Sequence, residues 1–508
     1  MDSSASTLEP LLAFFAYSMS KLESTFYKVP GSAVLARYVR SSHQNDPGRT
    51  LLELILIVFA IRTLLQSRTR TDRSGKNFIK FNEKEIDELV DEWTPEPLAQ
   101  PLSEWEQKDL ASVPVISGAN GPKAKILSTG KTVTNLASFN FTGLAGNEQI
   151  KQHAIDTLRK YGLGSCGPPG FYGTLDVHLD LERDIAEFLG TEASILCSQG
   201  FSTISSVIPA FCKREDFIVA DRAVNFSIQK GIQISRSTVR WYDHNDLKSL
   251  EDALQSVEKE RKKRKMPLTR RFIITEGIFE RDGEMVDLPK IIELKLKYKY
   301  RLILDESISF GTVGRTGRGL TELYNVPASQ IDMLIGSVAN GLCSGGGFCA
   351  GSMNVVDHQR INAPSFVYSA SMPALLATTA SAAITHLRNT PSVLTMLQEN
   401  IRTLRSVLDK ANGITVLGHP ASPIVHFQLR SSQGGSYEGE SRVLQEIVED
   451  ALAQGVLLTR AKHLKGQELI EMPPTIRIAV TSAMTKKEVE KAAGVVKTSI
   501  ARVLGKRR

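Results

Sequence analysis

Apolar and polar positions divide the chain into three patterns. Between residues 193 and 338, short apolar runs at 193–197, 217–220, 239–242, 271–275, 302–305 and 333–338 alternate with segments of helical spacing such as 246–262 and 288–300. That alternation predicts a mostly parallel sheet with helices on both faces, because parallel neighbours are joined by crossovers. From about residue 387 the runs become shorter (414–417, 423–428, 455–459 and 475–480) and predict a second, smaller α/β unit. The first ninety residues follow neither pattern.

Residues 11–26 are apolar and aromatic with scattered polar positions, as in a helix lying in a membrane interface. The run Leu51-Leu-Glu-Leu-Ile-Leu-Ile-Val-Phe-Ala-Ile-Arg-Thr-Leu-Leu65 is largely apolar, with Glu53 and Arg62 within it. As a helix it extends about 23 Å, against a hydrocarbon core of about 30 Å. Glu53 and Arg62 sit near its ends, where long side chains reach the headgroups. A short transmembrane helix over 51–66 is the expectation, and a helix lying in the interface is the alternative. The run starts too late for a cleavable signal peptide and lacks a small-residue cleavage site. Arg68, Arg70, Arg73, Lys76 and Lys80 follow it, which puts the C-terminal bulk in the cytosol, although Arg37, Arg40 and Arg49 reduce the asymmetry. Residues 93–107 are rich in Pro and acids and read as a linker. The expected organisation is a membrane-anchoring region over 1–90, a linker and lead-in over 91–131, a large domain over 132–386 and a small α/β domain over 387–508.

With 508 residues and 42% hydrophobic content, the chain can bury a large core. Its net charge of +7 is locally concentrated, chiefly in Glu258-Lys-Glu-Arg-Lys-Lys-Arg-Lys265. That cluster ends a helical pattern and precedes a strand, so it reads as a solvated helix end, not a localisation signal or a nucleic-acid surface. Five cysteines (Cys166, Cys197, Cys212, Cys343 and Cys349) show no framework spacing, which predicts reduced thiols. Cys343 and Cys349 lack the further ligands of a zinc site, and no metal is expected.

The candidate chemistry lies in glycine-punctuated segments. Arg301-Leu-Ile-Leu-Asp305 ends an apolar run in an acid and leads to Gly311-Thr-Val-Gly-Arg-Thr-Gly-Arg318, the way a buried strand delivers a carboxylate to a site. Ile331-Asp-Met-Leu-Ile-Gly-Ser-Val338 leads into Ala339-Asn340-Gly-Leu-Cys-Ser-Gly345-Gly-Gly-Phe-Cys-Ala-Gly351. In Tyr161-Gly-Leu-Gly-Ser-Cys166-Gly-Pro-Pro-Gly170-Phe-Tyr172-Gly-Thr174, the glycines either let backbone approach a ligand or second chain, or make a tight structural turn. Together with Asn135-Leu-Ala-Ser-Phe-Asn140-Phe-Thr-Gly-Leu144, Glu276-Gly-Ile-Phe-Glu-Arg-Asp-Gly283 and Ser365-Phe-Val-Tyr-Ser369-Ala-Ser371-Met-Pro373, these segments resemble the α-oxoamine synthases. Those are pyridoxal-phosphate (PLP) enzymes that condense an amino acid with an acyl-CoA. The resemblance covers roughly residues 90 to 505. It implies the α/β fold of PLP-dependent transferases of fold type I, here preceded by a membrane-associated helical region.

In that family an Asp at a strand end pairs with the pyridinium nitrogen, a Lys before the glycine cluster holds the cofactor as a Schiff base, and a His stacks on its ring. Asp305 matches the first role. Asn340 stands at the lysine position, Asn225 at the stacking His and Ile308 at a further His. An amide nitrogen is conjugated with its carbonyl and does not add to an aldehyde, and the chain has no lysine between Lys299 and Lys410. The resemblance therefore implies a copy of the site with no catalytic residue and a vestigial Asp305.

It is tighter still to the non-catalytic subunits of heterodimeric eukaryotic members, through Cys166-Gly-Pro-Pro-Gly-Phe-Tyr-Gly-Thr174 and His178-Leu-Asp-Leu-Glu182, although Pro169 replaces an expected basic residue. That implies condensation of L-serine with palmitoyl-CoA to 3-ketosphinganine, with PLP held by a lysine-bearing catalytic paralogue. Ser369 and Ser371 would reach the phosphate of the partner's PLP, and Tyr161, Cys166, Phe171 and Tyr172 would line the shared interface. Small activating subunits and Orm-type regulators are further implied partners, and the endoplasmic reticulum membrane the implied location. Cys166, set among glycines, is expected to be closely packed and inert. Arg477 sits at the family's substrate-carboxylate position and, without the lysine, is expected to be an ordinary edge-strand arginine. Two rival functions are a self-sufficient homodimeric synthase, opposed by Asn340, and a membrane scaffold uninvolved in catalysis, opposed by the retained Asp305 and glycine loops.

Overall fold

The six apolar runs between 193 and 338 all become strands: β1 Ala193–Cys197, β2 Phe217–Asp221, β3 Thr238–Tyr242, β4 Arg271–Glu276, β5 Arg301–Asp305 and β6 Met333–Ser337. A seventh, β7 Gly347–Gly351, joins them. In this computed structural model the described residues are 21, 28, 30–65, 81–95, 97–98, 101–264, 269–430 and 435–506. The strand order is β1-β7-β6-β5-β4-β2-β3. β3, β2, β4, β5 and β6 run parallel, and β7 is antiparallel to both of its neighbours.

Every residue of β2 and β6 is buried, as expected of central strands covered on both faces. The glycine-rich sequence of β7 hides a strand whose stability comes from across the ladder. Phe348 pairs with Gly336 of β6, and a Cβ on Gly336 would collide with the Phe348 ring. That ring also meets Phe310 edge-on, with centroids 4.7 Å apart. Helices follow the strands, among them Gly200–Phe211, Phe226–Ser235, Leu247–Arg264 and Leu288–Tyr298. The last begins with Asp287 capping Lys290 N and Pro289 in its first turn, where a missing N–H costs nothing.

The C-terminal runs form a four-stranded antiparallel sheet in the order Ile414–Leu417, Ile424–Leu429, Ile476–Ala479, Thr459–Arg460. The 455–459 run divides in two. Val456–Leu457 pairs in parallel with Thr132–Asn135, while Thr459–Arg460 covers the far side of Ile476–Ala479. Arg477 is thus on an inner strand and not on an edge strand as expected; the two-residue cover is too short to show as a periodic signal. Ile116–Ser117 and Lys123–Ile126, within the stretch read as linker and lead-in, are strands that build onto Thr132–Asn135.

The chain divides into two compact units, 1–107 and 108–508. In the first, Ser32–Asn45 packs on Pro47–Leu65, and Asn82 caps Glu83–Glu92 through a capping box with Glu85. Pro47–Leu65 has 19 residues and exposes its large apolar side chains from Leu51 to Ile61. Among the described residues, no helix is long and apolar enough to cross a membrane. The transmembrane expectation over 51–66 is therefore without support: Pro47, Gly48 and Arg49 begin the helix and Glu53 and Arg62 dilute it. The amphipathic stretch 11–26 and the basic flank 68–80 lie essentially outside the described residues.

Candidate functional site

A cleft of about 260 Å³ opens where β4, β5 and β6 end, the end of a parallel sheet at which open α/β folds place their ligands. Asn225, Asp305, Ile308 and Asn340, which belong to three separate sequence segments, all line it, together with Phe139, Phe201, Glu276, Glu280 and Ser337. Asp305 closes β5 and is 5% exposed; its Oδ1 accepts from Ser307 N at 2.8 Å. Directly across the ladder lies Glu276, the last residue of β4. Burial and then the Asp305 carboxyl push Glu276 well above the usual carboxylate range, and burial likewise raises Asp305, with Glu280 adding to it.

The substituted positions are committed elsewhere. Asn225 caps the helix Phe226–Ser235, its Oδ1 accepting from Ser227 N at 2.9 Å, and its Nδ2 donates to Glu280 Oε2 at 2.6 Å. Asn340 Nδ2 donates to the Ser307 carbonyl at 2.9 Å. Ile308 is buried at the same cleft.

Two groupings escaped the sequence. Glu280 Oε1 accepts from Arg477 Nη1 at 2.7 Å, although 197 residues separate them. The Glu280 carbonyl accepts from His426 Nε2 at 3.0 Å, and His426 Nδ1 meets the Thr475 hydroxyl at 2.9 Å. Beside the cleft, His244 bridges Asp221 (3.0 Å) and Asp282 (2.8 Å). Burial opposes its charge, but hydrogen bonds to both aspartates prevail and push the imidazole up to about 10. No spacing signal in the sequence joins these residues; they meet only through the crossovers.

Ser369 and Ser371 lie apart from the Asp305 cleft, around a small cavity shared with Pro169, His178, Glu182 and Arg360. Ser369 is exposed, whereas the Ser371 hydroxyl is sealed from solvent without a partner. The glycine-rich loop packs against this segment: Ser371 N donates to the Gly167 carbonyl at 3.0 Å and Ser165 Oγ to the Ser371 carbonyl at 2.8 Å. His178 Nδ1 accepts from Leu175 N, which leaves Nε2 to donate to the Met372 carbonyl at 2.8 Å. Tyr161 donates to Asp176 at 2.9 Å, and Phe171 and Tyr172 project outward, 63% and 102% exposed. Cys166 is exposed, with φ of 60°, so the close packing expected of it is not made within this chain. The loop turns outward there because the glycines on either side of Pro168–Gly170 bring its own backbone together.

The cleft does not fit a covalently held PLP. Its aldehyde would meet the Asn340 amide where an amine is required, the stacking position is tied into a helix cap, and the lining carries three carboxyls and no cationic side chain.

A model of the aminotransferase class I and II family matches residues 131–496, and the chain belongs to that family. Its relatives include long chain base biosynthesis protein 1b of Oryza sativa subsp. japonica, 43% identical over 93% of this chain and 95% of that one. Serine palmitoyltransferase 1 of Saccharomyces cerevisiae is 35% identical over 97% of this chain and 96% of its own length. The Sphingomonas wittichii serine palmitoyltransferase structure superposes with a TM-score of 0.70 at 21% identity, over 79% of this chain and 96% of that one, which establishes the common fold.

Proposed function

We propose that the chain is the lysine-less subunit of a heteromeric serine palmitoyltransferase (serine C-palmitoyltransferase), which condenses L-serine with palmitoyl-CoA to 3-ketosphinganine in sphingolipid biosynthesis. The carrying observation is Asn340: it occupies a cleft with no lysine in its lining, its amide spent on Ser307. The near full-length relatives named long chain base biosynthesis protein 1 and serine palmitoyltransferase 1 support the pathway. Related SPT structures containing PLP support the cofactor. In this reading the cofactor is held by the catalytic partner, long-chain-base subunit 2. This chain contributes the surface built from Phe171, Tyr172 and Tyr368, all strongly exposed here, and excludes water from the shared site by covering it. The apolar side chains of Pro47–Leu65 attach the complex to the endoplasmic reticulum membrane, with the globular unit on the cytosolic side.

Expression of this chain alone and with the lysine-bearing partner tests the reading. Alone it should show no PLP absorbance and form no 3-ketosphinganine; the co-purified complex should do both. Turnover by the pure chain would establish a self-sufficient synthase. Partner activity independent of this chain would reduce it to a scaffold.

A further inference from the structure

At the opposite end of the strands from the Asp305 cleft, where β4, β5 and β6 begin, a second cleft of about 530 Å³ opens. β5 has five residues, so the two openings lie ~17 Å apart along the sheet. Arg301 opens β5 and pairs directly with Phe272 of β4, and Arg270 stands two residues before Phe272. Side chains alternate along a strand and match across a parallel pair, so Arg270, Phe272 and Arg301 share one face of the sheet, and all three line the cleft. The two arginines are diagonal neighbours about 8 Å apart, which long side chains span. Each acid on the cleft wall is already engaged: Asp332 accepts from Leu302 N at 2.8 Å and pairs with Lys295, and Glu192 accepts from Met353 N at 3.0 Å. Arg270 gives Nη2 to Asp216 at 3.1 Å, whereas Arg301 is exposed and has no hydrogen-bond or ion-pair partner among the described residues. Phe211 and Val355 supply an apolar wall, with the Phe211 ring packed on His358 at 4.7 Å between centroids.

We propose that this second cleft binds a small organic phosphate, its phosphate oxygens held between Arg270 and Arg301 and its organic part against Phe211 and Val355. Two guanidinium forks are filled together only by an anion with more than two acceptor oxygens, which a phosphate offers and a carboxylate does not. The volume lies within the range of small-molecule sites and leaves room beyond the phosphate itself. The competing account is that cations gather here because helix C-termini face the same edge. It covers Arg236 and Lys299, which cap Phe226–Ser235 and Leu288–Tyr298. It does not cover Arg270 and Arg301, which stand at strand starts and line one cavity. The inference is independent of how the Asp305 cleft is read.

Isothermal titration calorimetry of the full chain with phenyl phosphate, inorganic phosphate and benzoate, at equal ionic strength, tests the assignment. Phenyl phosphate should bind once per chain and more tightly than inorganic phosphate, and benzoate should not bind. Arg301→Gln should weaken phenyl phosphate roughly tenfold through the loss of a charged fork. Arg301→Lys, which keeps the charge and loses the fork, should fall between it and the wild type. Lys263→Gln, which removes an exposed cation that does not line the cleft, should leave the affinity essentially unchanged. Arg301 is exposed, so its variants should keep the wild-type thermal transition; if Arg301→Gln fails to fold, Arg301→Lys decides the matter. Absence of binding, equal binding of benzoate, or an affinity unchanged by the Arg301 substitutions would overturn the proposal. Equal weakening by Lys263→Gln would do so as well, because it would reduce the effect to general attraction by a basic surface.

Discussion

At the scale of single residues, two histidines beside the cleft carry opposite dependences on pH. His426 is fully buried, and burial, reinforced by Arg477, lowers it to about 4. The unfolded chain takes up this proton near pH 6.5 and the folded chain does not, so its contribution is complete above about 6.5 and is lost as pH falls toward 4, up to about 3 kcal/mol. Urea unfolding between pH 7 and 4 should show a steeper loss in the wild type than in His426→Gln, even though the variant is less stable at pH 7. His244, raised to about 10, behaves the other way: its contribution is complete below about 6.5 and is lost as pH rises toward 10. His244→Gln leaves Asp221 and Asp282 without their shared cation and should cost about 3 kcal/mol at pH 7. For Asn340→Lys alone, no 3-ketosphinganine is expected from the purified chain, because Asn225 and Ile308 still lack the groups that stack on the ring and move protons. Turnover by that single variant would show that the lysine was the only loss that mattered. Asn340, Asn225 and Ile308 were legible as departures within recognised segments. Glu280 was not, because its meaning lies in Arg477, a long-range neighbour.

At the scale of elements, the glycine-rich loop divides its residues between two tasks. A Cβ on Gly173 would collide with the Gly167 carbonyl, so the turn closes only because both positions are glycine. Behind that closure the backbone is tied to Ser371 and His178, while Cys166 and Tyr172 hold φ values of 60° and 66° that side-chain-bearing residues seldom adopt. Tyr172→Ala should leave the unfolding of the isolated chain within about 0.5 kcal/mol of wild type, while weakening association with the catalytic partner in a pull-down titration. Equal association would remove this face from the interface. Because Cys166 is exposed in this chain, Cys166→Ala should retain most activity of the complex. Cys166→Leu should impair association alone, by overpacking worth about 1–3 kcal/mol at the partner surface. Loss of turnover in the alanine variant with leucine tolerated would instead indicate a chemical role for the thiol.

At the scale of the whole molecule, the two units call for separate treatment. Deleting residues 1–75 removes the helix Pro47–Leu65, whose apolar side chains are exposed among the described residues, and leaves residues 108–508 whole. The truncated chain should leave membranes in a flotation assay and retain the thermal transition of the globular unit. If it floats fully when expressed without its partner, a further membrane-binding surface lies within 108–508.

The sequence by itself determined the sheet, because buried parallel strands must be apolar along their whole length and their crossovers must be helical, a requirement that is local and periodic. It also determined the absent amine, since no arrangement of neighbours makes an amide nucleophilic. The strand β7 escaped it: Gly347–Gly351 owes its place to Phe348 packing over Gly336, a cross-ladder contact with no local pattern. Only the tertiary structure decided that Arg477 sits on an inner strand, that Glu280 answers it, and that Ser369 and Ser371 stand away from Asp305. Those outcomes depend on which distant segments meet at the strand ends, and a carboxylate's role is set by the charge placed beside it.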